Sequence, residues 1–391
     1  MTNITPIERI SSLDLLRGIA ILGILFMNIV GFAMPEVAYM NVNWHGVATE
    51  TDKLFFALQY FFAKERFIAL FCVLFGAGMV VFWQRAQAKY FEPIALLRKR
   101  MAWLLLFGIL HLTFLFYGDI LILYATCAFL IIKSVPNDDE KLMRRGIIYT
   151  AIGMVIFMCL AALMLLELDV NSGKSMLGYP YTVEEANDLI NSAVGSYGNM
   201  ISYNLKTGWG VLVAWAIYFF TISGPMLIGM SLIKKGFFKK GFSLRTELML
   251  ILVGSVMSAS QLYMIMNTDF TVDFWLIAPF NTIGGLLVIL FVSSRIVKAV
   301  SKKSHWLMPL QHVGRMAFSL YIFQSITMTL LFRVILADHF GQWHLGELMA
   351  IAAVTSIVQI ILASWWQSKI GQGPLEKLWR KLIYRNVHPI T

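Results

Sequence analysis

Charged residues are scarce in this sequence. Asp, Glu, Lys and Arg supply 14% of its 391 residues, whereas an average soluble domain has about 25%. Hydrophobic residues supply 58%, and the mean hydropathy is +0.71. No soluble core of this size needs so many apolar side chains. The composition therefore excludes an ordinary soluble protein and predicts an all-α fold, a polytopic helical bundle in the membrane.

Cysteine is also scarce, and several common functional motifs are missing. Cys72, Cys127 and Cys159 lie in apolar runs, and their spacing matches no metal motif, so we expect no metal site. The sequence has no phosphate-binding loop, dinucleotide glycine fingerprint or nucleophile elbow. Basic residues exceed acidic ones, 32 against 22, but they cluster at helix ends. This pattern indicates membrane topology and not nucleic-acid binding.

Apolar runs separated by polar loops predict about ten transmembrane helices. They cover residues 13–34, 54–83, 101–117, 119–133, 146–166, 210–233, 247–266, 275–294, 315–337 and 346–367. We expect residues 1–367 to form one transmembrane domain with an extracytoplasmic loop at about 167–209. Residues 368–391 are expected to form an amphipathic cytoplasmic tail. Lys and Arg concentrate in alternate loops, which predicts that both termini are cytoplasmic.

The apolar run from Met101 to Lys133 contains a histidine and an aspartate. As one straight helix it would reach roughly 50 Å, against a hydrocarbon core of about 30 Å. We therefore expect it to fold back as a hairpin at Tyr117–Gly118–Asp119. His111 would lie about six residues, or roughly 9 Å, before this turn.

His111 and Asp119 are the first functional candidates, because ionisable groups are costly in lipid. His111 has the chemistry to accept or relay a proton; the alternative is a hydrogen bond between helices. Asp119 is suited to orient a histidine or hold a substrate group, and equally to cap the following helix.

Further polar residues interrupt the first two spans. Asp14 and Arg17 are three apart on one helix face, where they would bind phosphate or anchor the helix. Asn28 would either join two helices or polarise a substrate. The charges from Lys64 to Arg66 predict that the second span is broken or tilted, with these side chains facing protein or water.

Five segments, in this order, resemble the YeiB family of bacterial inner-membrane proteins. They are SLDLLRGIAILGILFMNI, ALFCVLFGAG, GILHLTFLFYGDILILYA, GRMAFSLYIFQS and GPLEKLWRKL. Together they extend over nearly the whole chain. The resemblance implies a multi-pass protein of the bacterial cytoplasmic membrane. It implies no activity, since the family carries an unknown-function label.

The first two spans also resemble, more distantly, the transmembrane acyltransferase group that includes heparan-α-glucosaminide N-acetyltransferase. This resemblance implies acyl transfer from cytoplasmic acyl-CoA, with acetyl-CoA as favoured donor, to an acceptor on the other side. It would place Asn28 at the transfer site. The group's catalytic histidine precedes a tryptophan by three residues. Anchoring on Trp44 puts Asn41 there, with His45 nearby.

The leading hypothesis is thus an acyl-CoA-dependent membrane acyltransferase with a small-molecule or glycan acceptor. His111 or His45 would be the base, Asp119 would orient the base or the acceptor, and Asn28 would polarise the thioester. The candidates for donor binding are Asp14, Arg17 and Arg66. The alternative is a proton-coupled transporter or lipid-handling protein, and a third is a structural role. The lipid bilayer is the expected partner, and a homodimer is left open.

Overall fold

The computed structural model describes residues 10–39, 42–44, 48–166, 183–213, 215–267, 273–301 and 307–387. Sixteen α-helices run through these residues, and no strand occurs among them. The helices are α1 Ser11–Ala33, α2 Glu50–Phe62, α3 Arg66–Gln87, α4 Pro93–Phe114, α5 Leu121–Ile131, α6 Asp139–Leu166, α7 Val183–Ala193, α8 Tyr197–Val213, α9 Trp215–Lys234, α10 Phe237–Lys240, α11 Leu244–Asn267, α12 Asp273–Ser301, α13 Met308–Arg315, α14 Ala317–Leu330, α15 Leu345–Lys369 and α16 Pro374–Tyr384. The predicted all-α class is confirmed.

Several helices are long and apolar enough to cross a membrane. Among the described residues there are six such segments: Ser11–Ala33, Glu50–Gln87, Asp139–Leu160, Pro279–Val300, Ala317–Ile335 and Leu345–Lys369. Two shorter apolar helices are Leu121–Ser134 and Tyr218–Lys234. The chain is therefore a multi-pass helical membrane protein. The count of ten spans and the orientation stay predictions.

Helix α15 has one face toward lipid and the other toward the protein. One face exposes large apolar side chains: Val354, Ile357, Ile361 and Trp365. The other face buries small or polar ones: Ala352, Ser356, Gln359 and Ala363. In water an exposed stripe of this kind would be costly. In a bilayer it is the surface that contacts the acyl chains.

Two predicted interruptions are present. Helices α4 and α5 form the hairpin, with the turn between Phe114 and Leu121, and they pack against each other. The second span breaks between Phe62 and Arg66. Glu65 lies in this break with a φ of 66°, which is uncommon for a residue other than glycine.

The chain is also broken at Met316, between α13 and α14, so the ninth predicted span, 315–337, begins at this break. Helix α13 packs against α1, where Gly18 and Gly314 face the partner backbone. A methyl group at Gly18 would overlap the carbonyl of Leu310, and one at Gly314 would overlap the carbonyl of Asp14. Glycine therefore allows the two backbones to touch. This contact fixes the start of α14 relative to α1.

Helix α16 packs on α4 and α14. Its Glu376 carboxylate accepts hydrogen bonds from the backbone N–H groups of Phe318 and Ser319, at 2.8 and 3.1 Å. These are among the first N–H groups of α14, which have no partner within the helix. The C-terminal helix thus caps the helix that carries the site described next.

Candidate functional site

The centre of the candidate site is a chain of three side chains. Nδ1 of His111 lies 2.8 Å from Oδ2 of Asp119, and its Nε2 lies 2.7 Å from Oγ of Ser325. All three residues are buried, with at most 4% exposed. The histidine and aspartate that the sequence predicted as a pair are therefore in direct contact, and α14 adds a hydroxyl.

Local structure fixes the position of each member. His111 lies in the last turn of α4, and Asp119 lies in the turn before α5. Asp119 also accepts a hydrogen bond from Ile122 N–H at 2.8 Å through Oδ1. Gly108 faces Asp119 and Ile122, and a Cβ there would lie 3.0 and 2.8 Å from them. The missing side chain lets the arms of the hairpin approach closely.

The two contacts assign the single proton of a neutral imidazole to Nδ1. An ionised carboxylate only accepts hydrogen bonds, so His111 Nδ1 donates to Asp119. The Nε2 lone pair is then available to accept the hydroxyl proton of Ser325. The Tyr321 ring packs beside the imidazole, with 4.9 Å between ring centres. A carboxylate, an imidazole and a hydroxyl in this order form a general-base relay.

A cavity of about 280 Å³ lies beside the hairpin turn. Its polar lining residues include Asn28 of α1, Lys64 and Glu65 of the α2–α3 break, Asp119, Thr150 of α6, Thr221 of α9, and Asn281 with Thr282 of α12. The remaining lining is mostly apolar, as in sites that bind small molecules. The structure thus brings Asn28 and Asp119 to one cavity.

The other end of α1 carries a cluster of guanidinium groups around one carboxylate. Asp14 lies 3.4 Å from Arg17 and 3.6 Å from Arg315. Arg100 of α4 is close enough for the Arg17 charge to act on it, and it stacks on the Trp379 ring. The arginines outnumber the carboxylate, and Arg17 and Arg315 are about one-third exposed. The guanidinium groups of the cluster are therefore suited to bind phosphate.

Arg66 does not join this cluster. Gly78 of α3 lies beside the Arg17 guanidinium, and Arg66 begins the same helix twelve residues earlier, roughly 18 Å away along the axis. Its Nη1 instead donates to the Asn281 side chain at 2.7 Å and to the Lys64 carbonyl at 2.9 Å. Arg66 thus supports the break between α2 and α3, next to the cavity.

Two predicted site residues, Asn41 and His45, lie outside the described residues. Trp44, the anchor of that comparison, is described and is buried, with 4% exposed.

Sequence reasoning missed Ser325 and Asn281. A serine in an apolar helix is common, and it becomes notable only when its partner is known. The available signal was Ser325's place at the end of the GRMAFSLYIFQS segment, beside Gln324. Gln324 is buried too, and its Nε2 donates to the Ile21 carbonyl at 3.0 Å.

Comparison with known proteins gives matches along nearly all of the chain. Residues 232–386 match the family described as a protein of unknown function (DUF418). The chain is 28% identical to the uncharacterized protein YeiB of Escherichia coli (strain K12), over 98% of each sequence. It is 27% identical to the uncharacterized protein YxaH of Bacillus subtilis (strain 168), over 98% of this chain and 96% of that one.

An uncharacterized 39.9 kDa protein of Bacillus acidopullulyticus is 25% identical, over 98% of this chain and 96% of its own. No solved structure matches. The chain is thus similar to YeiB along nearly its whole length, which is the resemblance that its motifs predicted.

Proposed function

We propose that this protein is an acyltransferase of the bacterial inner membrane. It would move an acyl group from cytoplasmic acyl-CoA to a sugar or another hydroxyl or amine acceptor on the opposite side. The observation that carries the proposal is His111 held between the Asp119 carboxylate and a hydroxyl, beside a cavity inside the helical bundle. Ionisable side chains are costly inside a membrane protein, and those that occur there commonly have a function.

The donor would bind at the arginine cluster. Arg17, Arg315 and Arg100 would contact the phosphates of CoA, of which acetyl-CoA is the favoured acyl form. Asp14 would hold two of these guanidinium groups in place. The thioester would then point along α1 toward the hairpin.

The acceptor would enter the cavity from the opposite side. His111 would act as the base, and Asp119 would stabilise the imidazolium that forms. Asn28 would donate its amide N–H to the carbonyl oxygen as negative charge develops there. General-base catalysis of this kind contributes roughly 10²- to 10⁴-fold in rate.

A second function, proton-coupled transport, is favoured by one observation. The cavity wall contains Lys64 and Glu65 as well as Asp119, and titratable groups inside a membrane protein commonly line substrate or proton paths. This function predicts that a substrate crosses the membrane unmodified.

Sealed inside-out vesicles distinguish the two. Acetyl-CoA labelled on the acetyl group is added outside, and a set of amino sugars, simple sugars and polyols is trapped in the lumen. The acyltransferase predicts acetylated product inside, with CoA released outside. Lumenal compounds that leave unmodified, with no acetylated product, would support transport and contradict acyl transfer.

A further inference from the structure

The group in contact with the His111 base is a residue of the protein itself. Oγ of Ser325 lies 2.7 Å from Nε2 of His111, the position that an acceptor hydroxyl would need for direct deprotonation. The hydroxyl has one proton to donate. Its other neighbour, the Tyr321 carbonyl one turn earlier, lies farther away at 3.3 Å. The shorter contact assigns the proton to His111.

We propose that Ser325 is a catalytic nucleophile that carries the acyl group as a transient ester. The inference rests on the proposed acyl transfer and specifies its route. Ser325 Oγ attacks the thioester carbonyl while its proton moves to His111 Nε2. The C–S bond breaks, the C–O ester bond forms, and His111 returns the proton to the leaving CoA thiolate.

The second step reverses the roles. The acceptor hydroxyl or amine attacks the ester carbonyl, and His111 takes its proton. The C–O bond to Ser325 breaks, and His111 reprotonates Oγ. Asp119 acts as a positioning residue in both steps, because it holds the imidazole with Nε2 toward Ser325. No further reactant is needed.

The position of Ser325 explains why a carrier is useful. The arginine cluster and the cavity are separate: among the described residues that line the cavity, Arg17 is absent and Asn28 is present. These two residues are eleven apart on α1, roughly 16 Å along its axis. The phosphates of a donor bound at the cluster and an acceptor bound in the cavity would therefore lie well apart.

Along the direction of α1, Ser325 lies at a level between them, and it contacts the cavity-lining Asp119 through His111. Its neighbour Gln324 is hydrogen-bonded to the Ile21 carbonyl, which lies between Arg17 and Asn28 on α1. Arg315 ends α13, and Ser325 lies eight residues beyond Ala317, the first residue of α14, or roughly 12 Å along that helix. An acyl ester at Ser325 would link the donor and acceptor ends of the site.

Thr329 provides a matched control. It is one turn further along α14, is buried like Ser325, and donates to the Leu115 carbonyl at 3.0 Å. It therefore ties α14 to the same hairpin without touching the histidine. Both Thr329→Val and Ser325→Ala remove a buried hydroxyl and its hydrogen bond to the hairpin, whereas only Ser325→Ala removes the nucleophile.

The test uses the purified full-length protein with labelled acetyl-CoA and no acceptor. We expect one acetyl group bound per chain, mapped by peptide mass spectrometry to Ser325. Label should be absent from Ser325→Ala and retained in Thr329→Val. Ser325→Cys should form a thioester that neutral hydroxylamine cleaves. Transfer to acceptor should fall at least about 10²-fold in Ser325→Ala.

Two results would overturn the inference while leaving the proposed function in place. One is acyl transfer by Ser325→Ala at the wild-type rate, and the other is a stable label at a different residue. A wild-type protein that neither binds CoA nor transfers acetyl to any acceptor would instead contradict the proposed function itself.

Discussion

Oδ2 of Asp119 lies 2.8 Å from Nδ1 of His111, eight residues earlier across the hairpin turn. The second oxygen of the same carboxylate accepts the backbone N–H of Ile122 at 2.8 Å. Asp119 thus both caps the start of α5 and orients the imidazole. The two alternatives that the sequence offered for this residue are compatible in the structure, and they can be separated by substitution.

Asp119→Asn should separate them. Asparagine caps a helix about as well as aspartate, so the free energy of unfolding should change by less than about 1 kcal/mol through the cap. The neutral amide does not stabilise an imidazolium, so the rate of acyl transfer should fall roughly 10²- to 10⁴-fold. Thermal unfolding in detergent and CoA release measure the two effects. A stability loss as large as that of Asp119→Ala, with activity retained, would show that the contact is structural.

Arg17→Gln should weaken donor binding without removing the chemistry. The substitution takes one guanidinium from the cluster around Asp14. We expect the KM for acetyl-CoA to rise about 10-fold, equivalent to roughly 1.4 kcal/mol, while kcat changes little. Arg98 of α4, which is exposed, gives the control Arg98→Gln. Equal effects of both substitutions would show that the KM depends only on the total positive charge, and would contradict a binding site at Arg17.

Gly314→Ala should destabilise the bundle. Its methyl group would overlap the Asp14 carbonyl at the α1–α13 contact, and overpacking of this kind costs about 1–3 kcal/mol. Gly210→Ala in α8 is the control, because no atom lies within 4 Å of its added methyl. It should be neutral or slightly stabilising, since alanine favours a helix. Equal melting temperatures for the two variants would contradict the close crossing.

His344 should make the contact between α2 and α15 sensitive to pH. Its Nδ1 lies 2.9 Å from Oδ2 of Asp52, and this hydrogen bond, together with the carboxylate charge, raises the pKa of His344. A raised folded-state pKa means that the stabilisation is complete below the unfolded value, near 6.5, and is lost as pH rises through the folded value.

Hydrogen exchange at the first turn of α15, expressed as protection factors, measures this effect. Protection should decrease in the wild-type protein as pH rises from about 6.5 through the raised pKa of His344. In His344→Asn, which keeps a helix cap but does not titrate, protection should not change with pH. A wild-type profile as flat as that of the variant would contradict the prediction.

The sequence was most informative where polarity interrupts an apolar run. Exposure of Asp119 or of the charges from Lys64 to Arg66 to lipid is costly, so a straight apolar helix is not expected there. The chain turns at the first place and breaks at the second, as the sequence predicted. Small residues in an apolar helix are a further signal, since they permit close packing; a methyl group at Gly76 would overlap the Met226 carbonyl.

Features that depend on tertiary contacts were not predictable. Ser325 and His111 are 214 residues apart, and no local pattern pairs them. The break at Met316 lies where Glu376 of α16 caps α14, a contact made only once the C-terminal helix has docked. Arg66 has the charge expected of a residue that binds a ligand. Its Nη1 donates instead to Asn281 of α12 and to the Lys64 carbonyl in the α2–α3 break.

The most direct test of the account is CoA release by the wild-type protein and by His111→Gln, each given acetyl-CoA and the same set of amino sugars, simple sugars and polyols. We predict that both bind CoA with similar affinity and that the variant releases CoA at least about 10²-fold more slowly. Release by His111→Gln at the wild-type rate would contradict the central role of the His111–Asp119 pair.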